Sequence, residues 1–179
     1  MVNYVALMVV NLALSFMLFA AFLYFGLREV DHSRWAPAFL ATGIVQLLTG
    51  LHMVFTFPLP GVYNQAFGEP AVVWGALQIG LWYATAHNTG LMPLAIVGFL
   101  AAIHPIVVGA QVLNLGLTQR PTEGAIAFIL SGLAGLTVLP LYFLRERAWA
   151  RALAALAAFG AGMAWLITAY MTVWDHLAG

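Results

Sequence analysis

Residues 4–27 read YVALMVVNLALSFMLFAAFLYFGL, an apolar run without a charged side chain. At about 1.5 Å rise per residue, such a helix crosses the roughly 30 Å hydrocarbon core of a bilayer. Outward from it, five further apolar runs follow. One starts at Pro37, a good first-turn residue, and covers 37–57. The others cover 71–86 (the shortest), 92–115, 124–144 and 148–174. The breaks between them carry turn chemistry: Arg28-Glu29-Val30-Asp31-His32-Ser33-Arg34, then 58–70, His87-Asn88-Thr89-Gly90, 118–123 and Arg145-Glu146-Arg147. The pattern predicts an all-α polytopic membrane protein, a bundle of six transmembrane helices forming a single domain over residues 1–179.

Composition points the same way. The chain is 64% hydrophobic and 7% charged, where an ordinary soluble domain carries about 25% charged residues. The formal net charge is zero, which offers nothing to a nucleic acid. Without cysteine there are no disulfides, thiolate metal sites, iron–sulfur clusters or covalently attached haem. The first run lacks a basic start and is long enough to span, so no cleavable leader is expected. All six basic residues are arginine. Arg28, Arg34, Arg145, Arg147 and Arg151 fall on one side of the predicted bundle and Arg120 alone on the other. That asymmetry predicts a prokaryotic plasma-membrane protein with the arginine-rich side in the cytoplasm and both termini outside. Trp35, Trp149 and Trp174 are placed as interfacial anchors.

Polar groups inside a span usually face a protein interior or a cavity. The second run carries Gln46 and a Thr49, His52, Thr56 face; the fourth carries His104 and Gln111, with Asn114 one step round; the sixth ends with Thr168, Thr172, Asp175 and His176. These groups predict an outer-side site. Pro105, after His104, predicts a kink that frees a carbonyl and some space. Pro140 has no polar neighbours and reads as a tolerated membrane-helix proline.

Neutral imidazole is a good axial ligand for haem iron. The leading expectation is therefore a b-type haem protein transferring electrons within or across the membrane, with a redox partner and a homodimeric assembly. The candidate iron ligands are His52, His104, His176 and His87, with His32 as a further cofactor contact. Arg120 would pair with outer propionates and Arg28, Arg34 or Arg145 with inner ones, and Gln46, Gln111 and Asn114 would orient imidazoles. His52 lies about five residues from the end of its helix and His104 about eleven, a depth difference of about 9 Å that strains this pair. The plainer alternative for each histidine is an interhelical hydrogen bond or a boundary position. No His-x-x-x-His or Glu-x-x-His pair is present for zinc. The connection 58–70 reads as a rigid turn or as a lid, with Tyr63, Asn64 and Glu69 as polar contacts.

Thr49-Gly50-Leu51-His52-Met53, Pro58-Leu59-Pro60-Gly61, Tyr63-Asn64 and Phe67-Gly68-Glu69-Pro70 resemble the signature of a small prokaryotic integral membrane protein family catalogued as a domain of unknown function, the match centring on residues 46–75. The resemblance implies a helical membrane bundle and brings no activity. Two other functions fit the residues. One is a transporter or channel for a small solute, using the histidines, Gln46, Gln78, Gln111 and the Pro105 break. The other is a structural subunit of a larger complex, packing through Gly132-Leu133-Ala134-Gly135 and 157–162.

Overall fold

The computed structural model describes residues 4–118 and 120–178, with side chains except at 4, 172 and 175–178. The chain forms helices α1 (Tyr4–Tyr24), α2 (Ala36–Thr56), α3 (Tyr63–Ala86), α4 (Met92–Ala101), α5 (Ile103–Asn114), α6 (Pro121–Leu144) and α7 (Ala148–Ala178), and the described residues contain no strand. Pro105 has no N–H to give the Ala101 carbonyl, and the break between α4 and α5 falls at Ala102, one turn before it. The two pieces make one rod, so the described residues form six rods.

Five rods are long and apolar enough to cross a membrane; they include residues 5–28, 33–56, 92–114, 121–144 and 148–171. The remaining one, α3, is as long at 24 residues but carries Asn64, Gln65, Glu69 and Gln78. The sequence places its start at 71, after a loop reaching Pro70. The helix instead begins at Tyr63 and runs through Pro70. Packing overrides the local breakers here: Asn64 and Gly68 are buried, and a Cβ on Gly68 would come within 2.9 Å of Val54 on α2. The true connection is 57–62. It leaves α2 through Phe57, whose φ of 47° is left-handed, and turns at Gly61, φ 57°.

Side chains tie the connections into two ends. At one end the Asn88 amide donates to Asp31 (3.0 Å), and its oxygen accepts from the His32 N–H (2.9 Å). At the other end the Tyr63 hydroxyl accepts from the Thr118 N–H at 3.2 Å. Asn64 holds its own turn by accepting from the Leu59 N–H (2.9 Å) and donating to the Gly61 carbonyl (3.1 Å).

The rods are arranged as an incomplete ring: α3 packs on α2, α2 on α1, α1 on α7, α7 on α6, and α6 on α4 and α5. The ring closes only loosely, where α4 and α5 return to α3. The α2–α3 seam is tight because glycines line it: a Cβ on Gly75 would lie 2.5 Å from the Leu47 nitrogen, and one on Gly50 2.8 Å from the Val72 nitrogen. On α7 the stripe Ala150, Ala154, Ala158, Ala161, Trp165 and Ala169 is buried and lets that rod close against α1 and α6. The Trp165 indole donates to the Ser131 hydroxyl on α6 at 2.8 Å.

Candidate functional site

The loose closure leaves a cavity. Its α3 wall is Pro70, Val73, Trp74, Leu77 and Leu81, one face at i, i+3, i+4, i+7 and i+11. Facing them are Leu94, Ala95, Gly98 and Ala102, small except for Leu94, so there is little to fill the gap. Aromatic rings of α1 form the back: Phe16 stacks on Trp74 at 4.4 Å between centroids, and Phe19 meets the same indole edge-on at 5.4 Å. The Trp74 N–H donates to the Ser15 hydroxyl at 2.7 Å, so this wall is fixed in place.

The lining runs on α1 from Met8 to Leu23, about 23 Å along the helix axis, and continues to Leu27 in the turn that follows. The cavity volume is about 140 Å³, so it is a narrow slot. Toward the Asn88 end, Leu94 presses under Gly80, where a Cβ would come within 2.6 Å of it. Beyond this contact Arg145 reaches the lining. Toward the other end, His104 on α5 faces Glu69 on α3, with Nε2 and Oε2 3.6 Å apart. Between these two cross-contacts the seam is apolar and partly open.

The sequence candidates separate. His104 lies on the slot wall and half-buried, and Gln46 also reaches the lining. Glu69 belongs to α3 itself, not to a lid. His52 is exposed, because α2 buries the stripe Gly43, Gln46, Gly50 and Met53 and turns the Thr49, His52, Thr56 face away. The Thr49 and Thr56 hydroxyls donate to carbonyls of their own helix, Val45 at 2.8 Å and His52 at 2.7 Å. Gln111 and Asn114 are exposed beside the buried Val112. His87 is exposed, stacked on Tyr83, with Nδ1 2.9 Å from the Tyr83 carbonyl oxygen. His32 packs edge-on against Phe22 at 5.8 Å. Arg120 reaches the Met171 sulfur at 3.4 Å. The side chain of His176 lies outside the described residues.

This placement does not pair His52 with His104 across the slot. His52 and His104 stand on α2 and α5, which are not principal neighbours. The slot is narrow, about 140 Å³, and a flat macrocycle would need α3 and α4 to part. Among the described residues no group of three or more His, Asp or Glu could hold a metal ion.

The sequence reading missed a buried polar cluster between α1, α2 and α3. Asn11, 8% exposed, donates to the Gln46 amide oxygen at 2.8 Å and to the Thr42 carbonyl at 3.0 Å. The Thr42 hydroxyl reaches the Gln78 oxygen at 3.3 Å, and Gln46 and Gln78 are fully buried. Asn11 within the first apolar run was the available signal.

No curated protein and no solved structure matches the chain. A family model described as "Protein of unknown function (DUF981)" matches residues 1–179, and the chain belongs to that family.

Proposed function

We propose that the chain is a multi-span membrane protein that takes a small apolar or amphiphilic molecule from the bilayer into the slot between α3 and α4. This narrows the small-solute reading to a hydrophobic solute. α3 is its sixth span, the arginine-rich end faces the cytoplasm and both termini lie outside. The observation carrying the proposal is the slot itself: about 140 Å³, walled by Trp74, Leu77 and Gly98, at the one seam where the ring of helices packs loosely. An apolar slot facing lipid is filled by hydrocarbon more readily than by water, which needs polar partners.

Native mass spectrometry of the purified protein, after incubation with an uncharged long-chain alkyl ester, tests it. The expected result is a stoichiometric adduct that Gly98→Leu removes. The Gly98 position has room for a first carbon, since a Cβ there meets only Val138 at 3.5 Å, and the rest of a leucine would occupy the slot. An adduct equally abundant in both forms, or none in either, would contradict the proposal.

Electron transfer through haem b is the second reading, on one observation: His104 stands on the slot wall. It needs α3 to move outward and a single histidine to serve as the protein ligand. An absorption spectrum decides it. A Soret band that His104→Ala alters would restore the haem reading, and a colourless protein that gains no band on haem addition would end it.

A further inference from the structure

The slot is not equally apolar at its two ends. Arg145, at the end of α6, is a cationic group that reaches its lining. Its guanidinium lies over the Tyr142 ring at 5.1 Å, and Nε is 3.8 Å from the carboxylate of Glu146. The Glu146 side chain is 91% exposed, so this neighbour holds the arginine weakly. The backbone below is fixed: the guanidinium of the buried Arg151 donates to the Arg145 carbonyl, where a cation also suits the helix C-terminus. Arg151 thus caps the helix end through one guanidinium nitrogen, and Arg145, whose side chain is 47% exposed, is the arginine that reaches the slot lining. Beyond it the lining is Leu27, Leu91 and Leu141 and then apolar walls.

On the proposed binding function, we infer that the ligand is a single-chain anionic amphiphile, such as a long-chain carboxylic acid. Its chain lies along the slot and its anionic head pairs with Arg145. The small volume of the slot, about 140 Å³, favours one chain over two, with the part that does not fit staying in the lipid along the open seam, and the guanidinium is the charge complement of a carboxylate, which it can bind through two parallel N–H donors.

The test compares a brominated long-chain acid with its methyl ester, at alkaline pH where the acid is ionised. Bromine quenches the fluorescence of the slot-lining Trp74 and Trp165 in the full-length protein in detergent. The acid should quench at a concentration at least about tenfold lower than the ester, a modest return for a charged hydrogen bond. Arg145→Gln should abolish that preference and leave the ester midpoint unmoved. Arg145→Lys should keep part of it, and Arg147→Gln, an exposed neighbour, all of it. Equal midpoints in the wild type, or a preference that survives Arg145→Gln, would overturn the inference while leaving the slot proposal standing. Unmoved ester quenching in Arg145→Gln also shows that this variant is folded. Quenching by neither compound beyond that in Gly98→Leu would instead sink the slot proposal.

Discussion

The two sides of α3 are built on opposite rules. Against α2 it lays down Gly68 and Gly75, and α2 lays down Gly43 and Gly50; an added Cβ at any of the four would fall within 2.5 to 3.0 Å of atoms on the other helix. Against α4 it presents Val73, Trp74 and Leu77, and the rod opposite answers with Ala95 and Gly98, too small to reach them. Small residues on both helices of a pair bring backbones together. Bulky residues facing small ones, with cross-contacts only near Gly80 and Glu69, leave a gap. One helix is thus both an anchored wall and one side of an open slot.

Breaking the tight side should have the largest effect. Gly75→Leu forces a side chain into the Leu47 backbone, and overpacking of this kind costs about 1–3 kcal/mol or more. We expect loss of folded protein, read as monodisperse yield and thermal stability in detergent. Gly98→Leu, the matching change on the open side, should leave the thermal midpoint within a few degrees of the wild type. A similar loss of stability at both positions would remove the distinction between the seams.

A smaller effect belongs to the polar cluster behind the tight seam. Gln46→Leu takes one of the two acceptors from the buried Asn11 amide, which keeps the Thr42 carbonyl, and Asn11→Leu removes the donor to the Gln46 oxygen. Each single change should destabilise by about 1 kcal/mol. The double change should cost less than the sum of the two, as measured in a double-mutant cycle of reversible unfolding. Strict additivity would show that the pair is not coupled.

The smallest effect lies at the exposed end. The N–H of Ser33 and the Asn88 amide hold the Asp31 carboxyl well below its ordinary value of 3.8, at about 2. A group depressed in the folded state contributes stability that is full above the unfolded pKa and is lost as pH falls through the folded one. The Asp31→Asn variant should therefore differ from the wild type above pH about 4, and the difference should fade as pH drops toward about 2. Because Asp31 is at the surface, the change should be slight.

Much of the bundle was legible in the sequence. Long apolar runs, charged breaks and N-terminal prolines marked the rods, and Pro105 marked the break between α4 and α5. The start of α3 was not legible. Tyr63 to Pro70 has turn composition, and only burial of Asn64 and Gly68 against α2 makes it helix. The orientation of His52 was also misjudged as a site-facing position, although a signal existed. Gly43 and Gly50, and again Gly68 and Gly75, recur seven residues apart, which marks the packed face and puts His52 on the other. The slot itself could not be read, because it is made by contacts that α3 and α4 fail to form, and no local pattern encodes a missing contact. His104 and Gln46 were named from the sequence and do reach the slot lining. Asn11 inside an apolar run was a signal for the polar cluster, but its partners and the Glu69–His104 contact emerge only when the rods are assembled, which also brings Arg145, a candidate propionate partner in the sequence, to the slot lining.

The contrast between the two faces of α3 can be measured at one depth. Leu77 lines the slot and Gln78, the next residue, is fully buried toward α2. The chain has no native cysteine, so Leu77→Cys and Gln78→Cys can be compared directly with an uncharged, lipid-soluble thiol reagent. We expect rapid labelling of Leu77→Cys, slowed by an added long-chain ligand, and slow labelling of Gln78→Cys that no ligand changes. Equal rates at the two positions, or a Leu77→Cys rate indifferent to ligand, would contradict a ligand-accessible slot between α3 and α4.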